Sequence, residues 1–315
     1  MKTQRKKSLR LSIWKWLSLA MVASGSLLVS VSYFSLANAG TEKLLAYRGK
    51  WIATEQQLVE HASGCEIFDM TLRDDRQTWV NFLLQQPRDT TRKFPAVVIL
   101  GGVDIGKETL RYLGNPGEVI IAAPAYPYDL SRVTSWWSGI REACRMREAA
   151  FRTVAGALLI NDFLRERKNV DTNRVILAGY SFGAPFVPAV MHLDPRYKVA
   201  AILYGGGRID KLVGHNIDTG FGPLNRILGG AIGLLLAPIE PHRHIKYISP
   251  RPLVMIQGRF DEFMPPQLAQ ELFNRAGEPK EIIWLETEHM MPWKQDLINQ
   301  VVMTLRRWLE QHGFL

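Results

Sequence analysis

The sequence predicts an α/β fold with one mixed, mainly parallel sheet between layers of helices. Three observations predict it: short apolar runs recur along the chain, helical apolar patterns lie between them, and a polar turn joins two early strands into a hairpin. Apolar runs without alternation are typical of strands buried on both faces, and strands that alternate with helices are typical of a parallel sheet. With 315 residues, 47% of them hydrophobic and 22% charged, the chain can bury one large core.

The N-terminal segment predicts export. Residues 1–39 contain six basic residues and no acidic one. The uncharged stretch 16–39 follows the basic residues and ends in Ala37-Asn38-Ala39, the small-x-small form of a signal-peptidase site. This stretch of 24 residues could also span a bilayer, so a cleaved signal peptide and an N-terminal membrane anchor both stay open. We expect an exported (periplasmic or extracellular) or membrane-anchored protein, with residues 40–315 as its one folded domain.

The charge of the remaining chain argues against a nucleic-acid partner. The sequence has 39 basic and 30 acidic residues and a formal net charge of +9, but six of the basic residues belong to the N-terminal segment. The 33 basic residues that remain nearly balance the 30 acidic ones. The folded part therefore has no basic surplus that would indicate a polyanionic partner.

The two cysteines do not form a recognisable framework. Cys65 lies in an expected strand and Cys144 near the start of an expected helix. An oxidising compartment would allow a bridge between them, and each could equally be a small buried hydrophobic residue, so both interpretations stay open. The sequence has no CxxC and no Cys/His spacing typical of zinc, and we predict no metal site.

The expected elements follow in order from the hairpin. Residues 65–86 have the pattern of two strands around the polar turn Arg73-Asp74-Asp75-Arg76. Six further strands are expected at the apolar runs 96–100, 119–123, 174–178, 199–204, 253–256 and 281–285. Apolar residues with helical spacing are Ala150, Phe151, Val154 and Leu158 in one segment and Leu297, Val301, Leu305 and Trp308 in another. The alternation of these elements is what makes the sheet mainly parallel.

Two segments are too long for plain connections. Residues 125–145 contain several aromatic residues, and residues 208–247 contain the apolar run 227–238; both follow expected strands. We expect these segments to be pocket walls or lids. The run 227–238 is too short to cross a membrane, and both a helix packed on the core and a substrate contact stay open for it.

The strongest functional signal is a serine between two glycines. Gly179-Tyr180-Ser181-Phe182-Gly183 fits G-x-S-x-G, after an expected strand and before a helix-compatible segment. In such a turn the serine has a strained backbone, and the glycines prevent clashes with the neighbouring strand and helix. The pattern predicts that Ser181 is a nucleophile.

A serine nucleophile needs a histidine to take its proton and a carboxylate to orient that histidine. His289 follows the expected strand 281–285, and Asp261 follows the expected strand 253–256, which gives the chain order Ser, Asp, His. Glu262 is the alternative to Asp261, and a helix-capping role for Asp261 also stays open. His242 and His244 form a pair without a third ligand in any metal pattern, and we expect them to be solvated loop residues.

These residues resemble the α/β-hydrolase superfamily over nearly the whole chain after residue 60. The stretch NVDTNRVILAGYSFGA, residues 169–184, is similar to the region before the nucleophile in the dienelactone hydrolase and prolyl oligopeptidase-like branch. The resemblance implies an α/β-hydrolase fold with a central sheet of about eight strands, a triad on loops at the strand ends, and no cofactor. On this chain it makes Ser181 the nucleophile, His289 the general base and then acid, and Asp261 the orienting carboxylate.

An acyl-transfer site also needs two donors for the transition-state oxygen. We expect the first to be the backbone amide of Phe182, and the second to be the amide of Val103 in the loop Gly101-Gly102-Val103-Asp104 that follows the strand 96–100. The common pattern of the family has His-Gly in this loop. The chain departs from that pattern, and its Gly-Gly resembles a subset of the superfamily's esterases and related hydrolases.

The same loop suggests a rival function. Residues 101–107, GGVDIGK, follow a strand and nearly complete the phosphate-binding pattern G-x-x-x-x-G-K-[ST]. The last position carries Glu108 instead of a hydroxyl residue, and a carboxylate there would repel phosphates and cannot replace the hydroxyl ligand of magnesium. A tight turn is the simpler interpretation of the glycines.

The sequence thus predicts a serine hydrolase and, within that class, favours a carboxylic-ester hydrolase. Such an enzyme takes a small ester or acyl substrate and forms an acyl-enzyme. A lipase or thioesterase that acts on lipid-like substrates stays open because of the apolar run 227–238 and the N-terminal segment, which would supply any membrane association. A binding protein that has the hydrolase fold without turnover is the third alternative.

Overall fold

The computed structural model describes residues 40–62, 64–76, 78–102, 105–114, 117–128 and 136–315. The N-terminal segment 1–39 and its predicted export role lie outside the described residues. Nine strands occur in the described part of the chain: β1 Trp51–Ala62, β2 Cys65–Asp74, β3 Trp79–Pro87, β4 Phe94–Leu100, β5 Ile120–Pro124, β6 Val170–Tyr180, β7 Val199–Leu203, β8 Leu253–Gly258 and β9 Lys280–Leu285.

Nine α-helices accompany these strands in the same described ranges: α1 Glu42–Leu45, α2 Thr109–Tyr112, α3 Trp136–Glu166, α4 Phe186–Leu193, α5 Ile209–Asn216, α6 Gly222–Leu235, α7 Pro241–His244, α8 Pro266–Arg275 and α9 Gln295–Gln311. Short 3₁₀ turns cover Gly106–Glu108, Ser181–Gly183, Ala237–Ile239 and Ile245–Tyr247. The two helical patterns that the sequence shows lie in α3 and α9. No helix among the described residues combines the length and the apolar character that a bilayer crossing requires.

The strands form one sheet in the order β1-β2-β3-β5-β4-β6-β7-β8-β9. The pairs β1–β2, β2–β3 and β3–β5 are antiparallel, and the strands from β5 across β4 to β9 are parallel to one another. The predicted mixed, mainly parallel sheet is therefore confirmed. It has one strand more than the expected number of about eight, because the exposed edge strand β1 has no apolar pattern that would reveal it.

The core lies on both faces of this sheet, as the unbroken apolar runs predict. Successive residues of β6 point to opposite sides: Val175 and Leu177 join the cluster under α3 and α4, whereas Ile176 and Ala178 join the cluster under α9. All four side chains are fully buried. Because these strands are parallel, their carboxyl ends meet at one edge of the sheet. Helices cover both faces, so this edge is where a ligand can reach the strand ends.

The two cysteines are not bridged. Cys65 is buried in β2, where burial raises the pKa of its thiol, and Cys144 is exposed on α3; both are free. Cys65 thus fits the expectation of a small buried hydrophobic residue, while the exposure of Cys144 contradicts it. The alternative of a bridge between them is not realised.

The long segment 208–247 folds into helices. α6 packs tightly on α5, because a Cβ on Gly229 would lie 2.3 Å from the carbonyl oxygen of Asp210, and one on Gly233 would lie 2.7 Å from Asp210 Cβ. The opposite side of α6 is open, with Ile227 67% exposed. The apolar run therefore packs on a neighbouring helix through its glycines, exposes Ile227, and reaches the core only at its end, where Leu236 packs against it and Pro238 is buried.

Candidate active site

Ser181 begins the turn that joins β6 to α4 at the carboxyl edge of the sheet. Its backbone has a φ of 50°, in the left-handed region that side-chain-bearing residues rarely adopt. Such a conformation costs about 1–3 kcal/mol and persists only where the surroundings enforce it. The turn holds the Ser181 side chain out at the end of the strand, as the sequence pattern predicts.

The two glycines of the pattern are required by close contacts. A Cβ on Gly179 would lie 2.6 Å from Val187 Cγ2, and a Cβ on Gly183 would lie 2.0 Å from the carbonyl oxygen of Leu100. The first contact is to the helix after the turn, and the second is to the end of the neighbouring strand β4. Glycine at both positions therefore lets the strand, the turn and the helix approach closely enough to form the strained bend.

The structure brings the three predicted side chains together. Ser181 Oγ lies 2.9 Å from His289 Nε2, and His289 Nδ1 lies 2.7 Å from Asp261 Oδ2. A carboxylate accepts hydrogen bonds, so Nδ1 carries the proton that it donates to Asp261, and Nε2 is left to accept the hydroxyl proton of Ser181. Asp261 and His289 are each 5% exposed, so the pair is largely shielded from water. The arrangement is able to move a proton from the hydroxyl to the imidazole.

Asp261 is held by its own loop as well as by the histidine. Its second oxygen, Oδ1, accepts hydrogen bonds from the backbone amides of Phe263 and Met264, at 2.9 and 2.8 Å. The helix-capping role considered for Asp261 is not realised, because α8 begins after Pro265 and has no side-chain cap. One oxygen of Asp261 organises the loop and the other faces the imidazole. The alternative residue Glu262 is exposed to solvent.

Aromatic residues enclose the imidazole, and sequence reasoning missed them. The Tyr204 ring meets the His289 ring edge-on at 5.6 Å, and the Phe263 ring lies 5.2 Å from it. The Tyr204 hydroxyl lies 2.6 Å from Thr287 Oγ1, and burial raises the pKa of Tyr204. Tyr204 follows β7 directly, so the rule that polar residues gather at the carboxyl ends of parallel strands could have found it.

Only one of the two predicted oxyanion donors belongs to the described residues. Phe182 follows Ser181 in the turn, whereas Val103 lies outside the described residues. The neighbours of Val103 are described: Gly102 lies against the Tyr180 hydroxyl, so that a Cβ there would be 2.5 Å from it, and the Gly101 carbonyl accepts a hydrogen bond from Tyr126 Oη at 2.5 Å. Sequence reasoning flagged Tyr126 only as part of the segment 125–145, of which residues 129–135 are not described.

The structure argues against the phosphate-loop alternative. Lys107 Nζ, the cation that would have to reach a phosphate, lies 2.6 Å from Asp69 Oδ2 and 2.6 Å from Asn81 Oδ1. The lysine is thereby engaged with β2 and β3. Residues 106–108 form a 3₁₀ turn after the loop, which is the tight turn favoured by the simpler interpretation.

The expectation for the histidine pair was wrong. His244 is buried, with Nε2–H donating to the Pro238 carbonyl at 2.7 Å and Nδ1 lying 2.9 Å from Nδ1 of His192. His242 is half-buried. The expectation failed because their burial depends on contacts with distant elements that the local pattern does not show. Among the described residues, no group of three or more His, Cys, Asp or Glu side chains is arranged to hold a metal ion.

Comparison with known proteins gives sequence relatives of unknown activity. No family model matches the chain. The uncharacterized protein YfhR of Escherichia coli O157:H7 is 27% identical over 132 residues, and that of Escherichia coli strain K12 is 26% identical over the same length. Each match spans 40% of this chain and 42% of the relative, so less than half of either relative's length is matched.

Solved structures are similar over much more of the chain. An acetyl xylan esterase from Paenibacillus sp. R4 has a TM-score of 0.62 at 16% identity, covering 84% of this chain and 92% of the esterase. Acetyl xylan esterase 1 from Thermoanaerobacterium sp. JW/SL YS485 has a TM-score of 0.61 at 18% identity, covering 87% and 93%. Est1E from Butyrivibrio proteoclasticus has a TM-score of 0.54 at 14% identity, covering 80% and 100%. These similarities show a shared fold.

Proposed function

We propose that this chain, which has the α/β-hydrolase fold, is a serine hydrolase that cleaves carboxylic esters. One observation carries the proposal: the continuous hydrogen-bonded series from Ser181 through His289 to Asp261. A serine hydroxyl becomes a nucleophile when a base can take its proton, and this series supplies the base and its orienting carboxylate. The esterases among the similar structures favour an ester as the bond that is cleaved. The dienelactone hydrolase and prolyl oligopeptidase-like branch stays a prediction.

The first half of the reaction forms an acyl-enzyme. Ser181 Oγ attacks the ester carbonyl carbon while its proton passes to His289 Nε2. The tetrahedral intermediate collapses as the bond to the alcohol oxygen breaks, and His289 gives the proton to the departing alcohol. Asp261 keeps the imidazole in the tautomer that can accept a proton and stabilises the imidazolium between the two steps.

The second half releases the acid. A water molecule takes the place of the alcohol and loses a proton to His289 Nε2 as its oxygen attacks the acyl carbon. The bond to Ser181 Oγ then breaks, and the serine recovers its proton from the imidazolium. In both halves the carbonyl oxygen becomes negative, and the amides of Phe182 and Val103 are the proposed donors to it.

Replacing the nucleophile is the direct test. Ser181→Ala removes the attacking oxygen, and we expect turnover of a short-chain chromogenic ester to fall at least ~10⁴-fold because no acyl-enzyme forms. Labelling by a fluorophosphonate should occur on the wild-type protein and disappear in this variant. The readouts are the initial rate of ester hydrolysis and the mass of the labelled peptide.

A matched variant separates a specific loss from general damage. Ser249 lies before β8, at the opposite edge of the sheet, and donates to the Glu278 carbonyl at 2.5 Å. Ser249→Ala should hydrolyse the ester as fast as the wild-type protein. Undiminished hydrolysis by Ser181→Ala would remove Ser181 from the mechanism.

A lipid-like substrate is a second candidate, and the α5–α6 pair favours it. His215 Nε2 lies 2.8 Å from the Glu262 carbonyl, and Asn216 Nδ2 donates to the Phe263 carbonyl at 2.9 Å, so α5 is bonded to the loop that carries Asp261. α6, packed on α5, exposes Leu224 and Ile227. An apolar surface thus lies close to the site, as long acyl chains would require. Values of kcat/KM that rise from acetyl to dodecanoyl esters would support this candidate, and values that fall would exclude it.

A further inference from the structure

We propose that Tyr204 is a positioning residue that, through Thr287, holds the loop of His289 where its imidazole can take the serine proton. Tyr204 follows β7, a strand that contributes none of the three side chains of the hydrogen-bonded series. Its hydroxyl lies 2.6 Å from Thr287 Oγ1, two residues before His289 in the chain. The inference rests on the proposed function, since it assigns a role within the same reaction.

The backbone of Tyr204 is fixed at the end of the sheet. Its amide donates to the Ile256 carbonyl of β8 at 2.9 Å, and its φ of 49° lies in the left-handed region. Such a conformation at a bulky residue persists only where the surroundings enforce it. The side chain is fully buried, with its ring beside the imidazole of His289. The strand end is therefore a rigid base for this ring.

Thr287 is bound to two other parts of the structure. Its hydroxyl meets Tyr204, and its carbonyl oxygen accepts a hydrogen bond of 3.0 Å from the backbone amide of Phe260, the residue before Asp261. The loop that carries His289 is thereby attached both to the end of β7 and to the loop that carries Asp261. Because His289 comes two residues after Thr287, these attachments limit how far the imidazole can move from the carboxylate.

The end of β8 packs closely against both partners of this hydrogen bond. A Cβ on Gly258 would lie 2.9 Å from Tyr204 Cε1 and 2.6 Å from the carbonyl oxygen of Thr287. It would also lie 3.2 Å from the carbonyl oxygen of Glu288. Glycine at this position therefore lets the tyrosine ring and the backbone before His289 approach the same strand end. The tyrosine and the loop are close-packed there as well as hydrogen-bonded to each other.

The ring of Tyr204 also confines the imidazole itself. It meets the His289 ring edge-on, with 5.6 Å between the centroids and an angle of 89° between the planes. The Phe263 ring lies 5.2 Å from the same imidazole, at an angle of 59°. Aromatic contacts at these distances are favourable and directional. The two rings thus restrict the rotation of the imidazole, while the Tyr204 hydroxyl restricts the loop that carries it.

The hydroxyl of Tyr204 keeps its proton at neutral pH. Burial raises the pKa of Tyr204, the hydrogen bond with Thr287 opposes the rise, and the nearby charge of Asp261 adds to it. The hydrogen bond with Thr287 is therefore available throughout the reaction, in which His289 takes and returns a proton twice. Its position matters because a misplacement of about 1 Å at a reacting group can cost about 10²-fold in rate.

The test removes the hydroxyl and keeps the ring. Tyr204→Phe retains the edge-on contact with His289 and leaves Thr287 Oγ1 without this partner. We expect kcat for a short-chain ester to fall about 10–100-fold, because the loop is released and the imidazole is less often in place. The rate of fluorophosphonate labelling of Ser181 should fall by a similar factor, since it needs the same proton transfer. KM should change less than about threefold, because no contact with the substrate is lost.

Variants of Thr287 test the same hydrogen bond from its other end. Thr287→Val removes the hydroxyl with little change of shape, and Thr287→Ser keeps the hydroxyl. We expect Thr287→Val to lose as much kcat as Tyr204→Phe, and Thr287→Ser to stay within about threefold of the wild-type value. The double variant of Tyr204→Phe and Thr287→Val should lose no more than either single variant, because both changes remove one shared interaction.

Tyr197→Phe is the matched control. Tyr197 is also fully buried, and its hydroxyl donates to the Ala157 carbonyl at 2.8 Å, in the core beside α3. This variant likewise loses one hydrogen bond of a buried tyrosine. The melting temperature should fall in both tyrosine variants, while the kcat of Tyr197→Phe stays at the wild-type value.

The outcomes separate the inference from the proposed function. A kcat within about twofold of wild type in Tyr204→Phe would overturn the inference, and so would an equal loss in Tyr197→Phe, a loss confined to KM, or losses that multiply in the double variant. Wild-type protein that neither hydrolyses esters nor is labelled at Ser181 would overturn the proposed function and, with it, this role for Tyr204. A selective loss of kcat in Tyr204→Phe that Thr287→Val reproduces and Thr287→Ser avoids supports the inference.

Discussion

At the scale of single residues, backbone strain is concentrated around the candidate site. Among the described residues, three that are not glycine have a positive φ: Ser181 at 50°, Tyr204 at 49° and Arg208 at 61°. Ser181 and Tyr204 each follow directly on a parallel strand, β6 and β7, and both side chains contact His289. Strain of this kind destabilises the fold by about 1–3 kcal/mol per residue, so its presence at two neighbours of one imidazole is consistent with a function that needs this geometry.

Asp261 allows a prediction that separates charge from shape. Asp261→Asn keeps the size of the side chain but allows an amide nitrogen to face His289 Nδ1, so the imidazole can turn to the tautomer whose Nε2 carries a proton. That tautomer cannot take the proton of Ser181. We expect kcat to fall about 10³–10⁴-fold with nearly unchanged folding stability. Ester hydrolysis and thermal unfolding of the purified variant are the measurements.

The neighbouring acid provides the control for this variant. Glu262 is exposed, and its backbone carbonyl, rather than its carboxylate, is the group that lies 2.8 Å from His215. Glu262→Gln makes the same chemical change one residue along the loop and should leave kcat within about twofold of the wild-type value. A large loss of kcat in Glu262→Gln together with an active Asp261→Asn would show that Glu262, and not Asp261, is the carboxylate that orients His289.

The residues of the site differ in how far the sequence could reveal them. Ser181 has a local sequence signature, and Asp261 and His289 follow strands that are visible as apolar runs. The topology of a parallel sheet therefore predicts that the three residues lie near one another. The contacts of Tyr126 with Gly101 and Phe182 could not be predicted in this way, because these partners lie 25 and 56 positions away and no local pattern connects them. Such contacts form only in the tertiary structure, and no local pattern in a single sequence reveals them.

At the scale of elements, burial decides which elements a sequence reveals. The strands β4 to β8 are buried on both faces and are visible as continuous apolar runs. By contrast, β1 is exposed along nearly its whole length, and its sequence WIATEQQLVEHA has the composition of a surface segment. It pairs with β2 through backbone hydrogen bonds, which any residue can make. This is the physical reason why the sheet has one strand more than expected.

The contact between α4 and α7 contains a pair of histidines with a fixed proton arrangement. His244 Nε2–H donates to the Pro238 carbonyl, so His244 Nδ1 must accept the proton of His192 Nδ1 at 2.9 Å. The His192 ring is stacked on Tyr247, with centroids 3.9 Å apart. Burial, opposed by the hydrogen bond to Pro238 and reinforced by His192 and Arg243, lowers the pKa of His244 to about 4. Burial, Arg251 and Lys246 lower the pKa of His192. Both imidazoles are therefore neutral in the folded protein at pH 7.

This pair makes stability depend on pH. A lowered pKa means that the folded state binds the proton less well than the unfolded chain, so the contribution of His244 is complete above the usual histidine pKa of 6.5 and is lost as the pH falls from 6.5 toward 4. For this single group we expect the free energy of unfolding to drop about 2 kcal/mol between pH 7 and pH 5. Urea unfolding at the two pH values measures it.

Two variants isolate the contribution of the buried imidazole. His244→Gln removes the titrating group and should reduce the difference in unfolding free energy between pH 7 and pH 5 by most of that amount. His61→Gln changes an exposed histidine on β1 and should leave the difference as it is in the wild-type protein. If His244→Gln keeps the full pH dependence, the acid sensitivity arises elsewhere.

At the scale of the whole molecule, the topology of the sheet gathers the site. Ser181 follows β6, Asp261 follows β8, His289 follows β9, and the glycine loop follows β4. These strands are parallel, so their carboxyl ends lie at one edge although the residues are up to 188 positions apart in the sequence, from Gly101 to His289. Helices on both faces keep the sheet buried and leave this edge accessible. The fold therefore determines where a site can form, while the loops determine what it does.

The distribution of charge along the whole chain leads to the last prediction. The N-terminal 39 residues hold six of the 39 basic residues and no acidic one, whereas the compact unit begins at Gly40. A basic start followed by an uncharged stretch directs a chain to a membrane, with its positive end retained on the inner side. We expect the full chain, expressed in a secreting host, to be found in the exported or membrane fraction.

A chain that begins at Gly40 should stay in the cytosol and hydrolyse esters at the same rate per molecule. Intact mass distinguishes the two fates of the leader, because cleavage after Ala39 leaves Gly40 as the N-terminus. Full-length chain that stays in the cytosol would contradict export, and a Gly40 chain that fails to fold would show that the leader contributes to the domain.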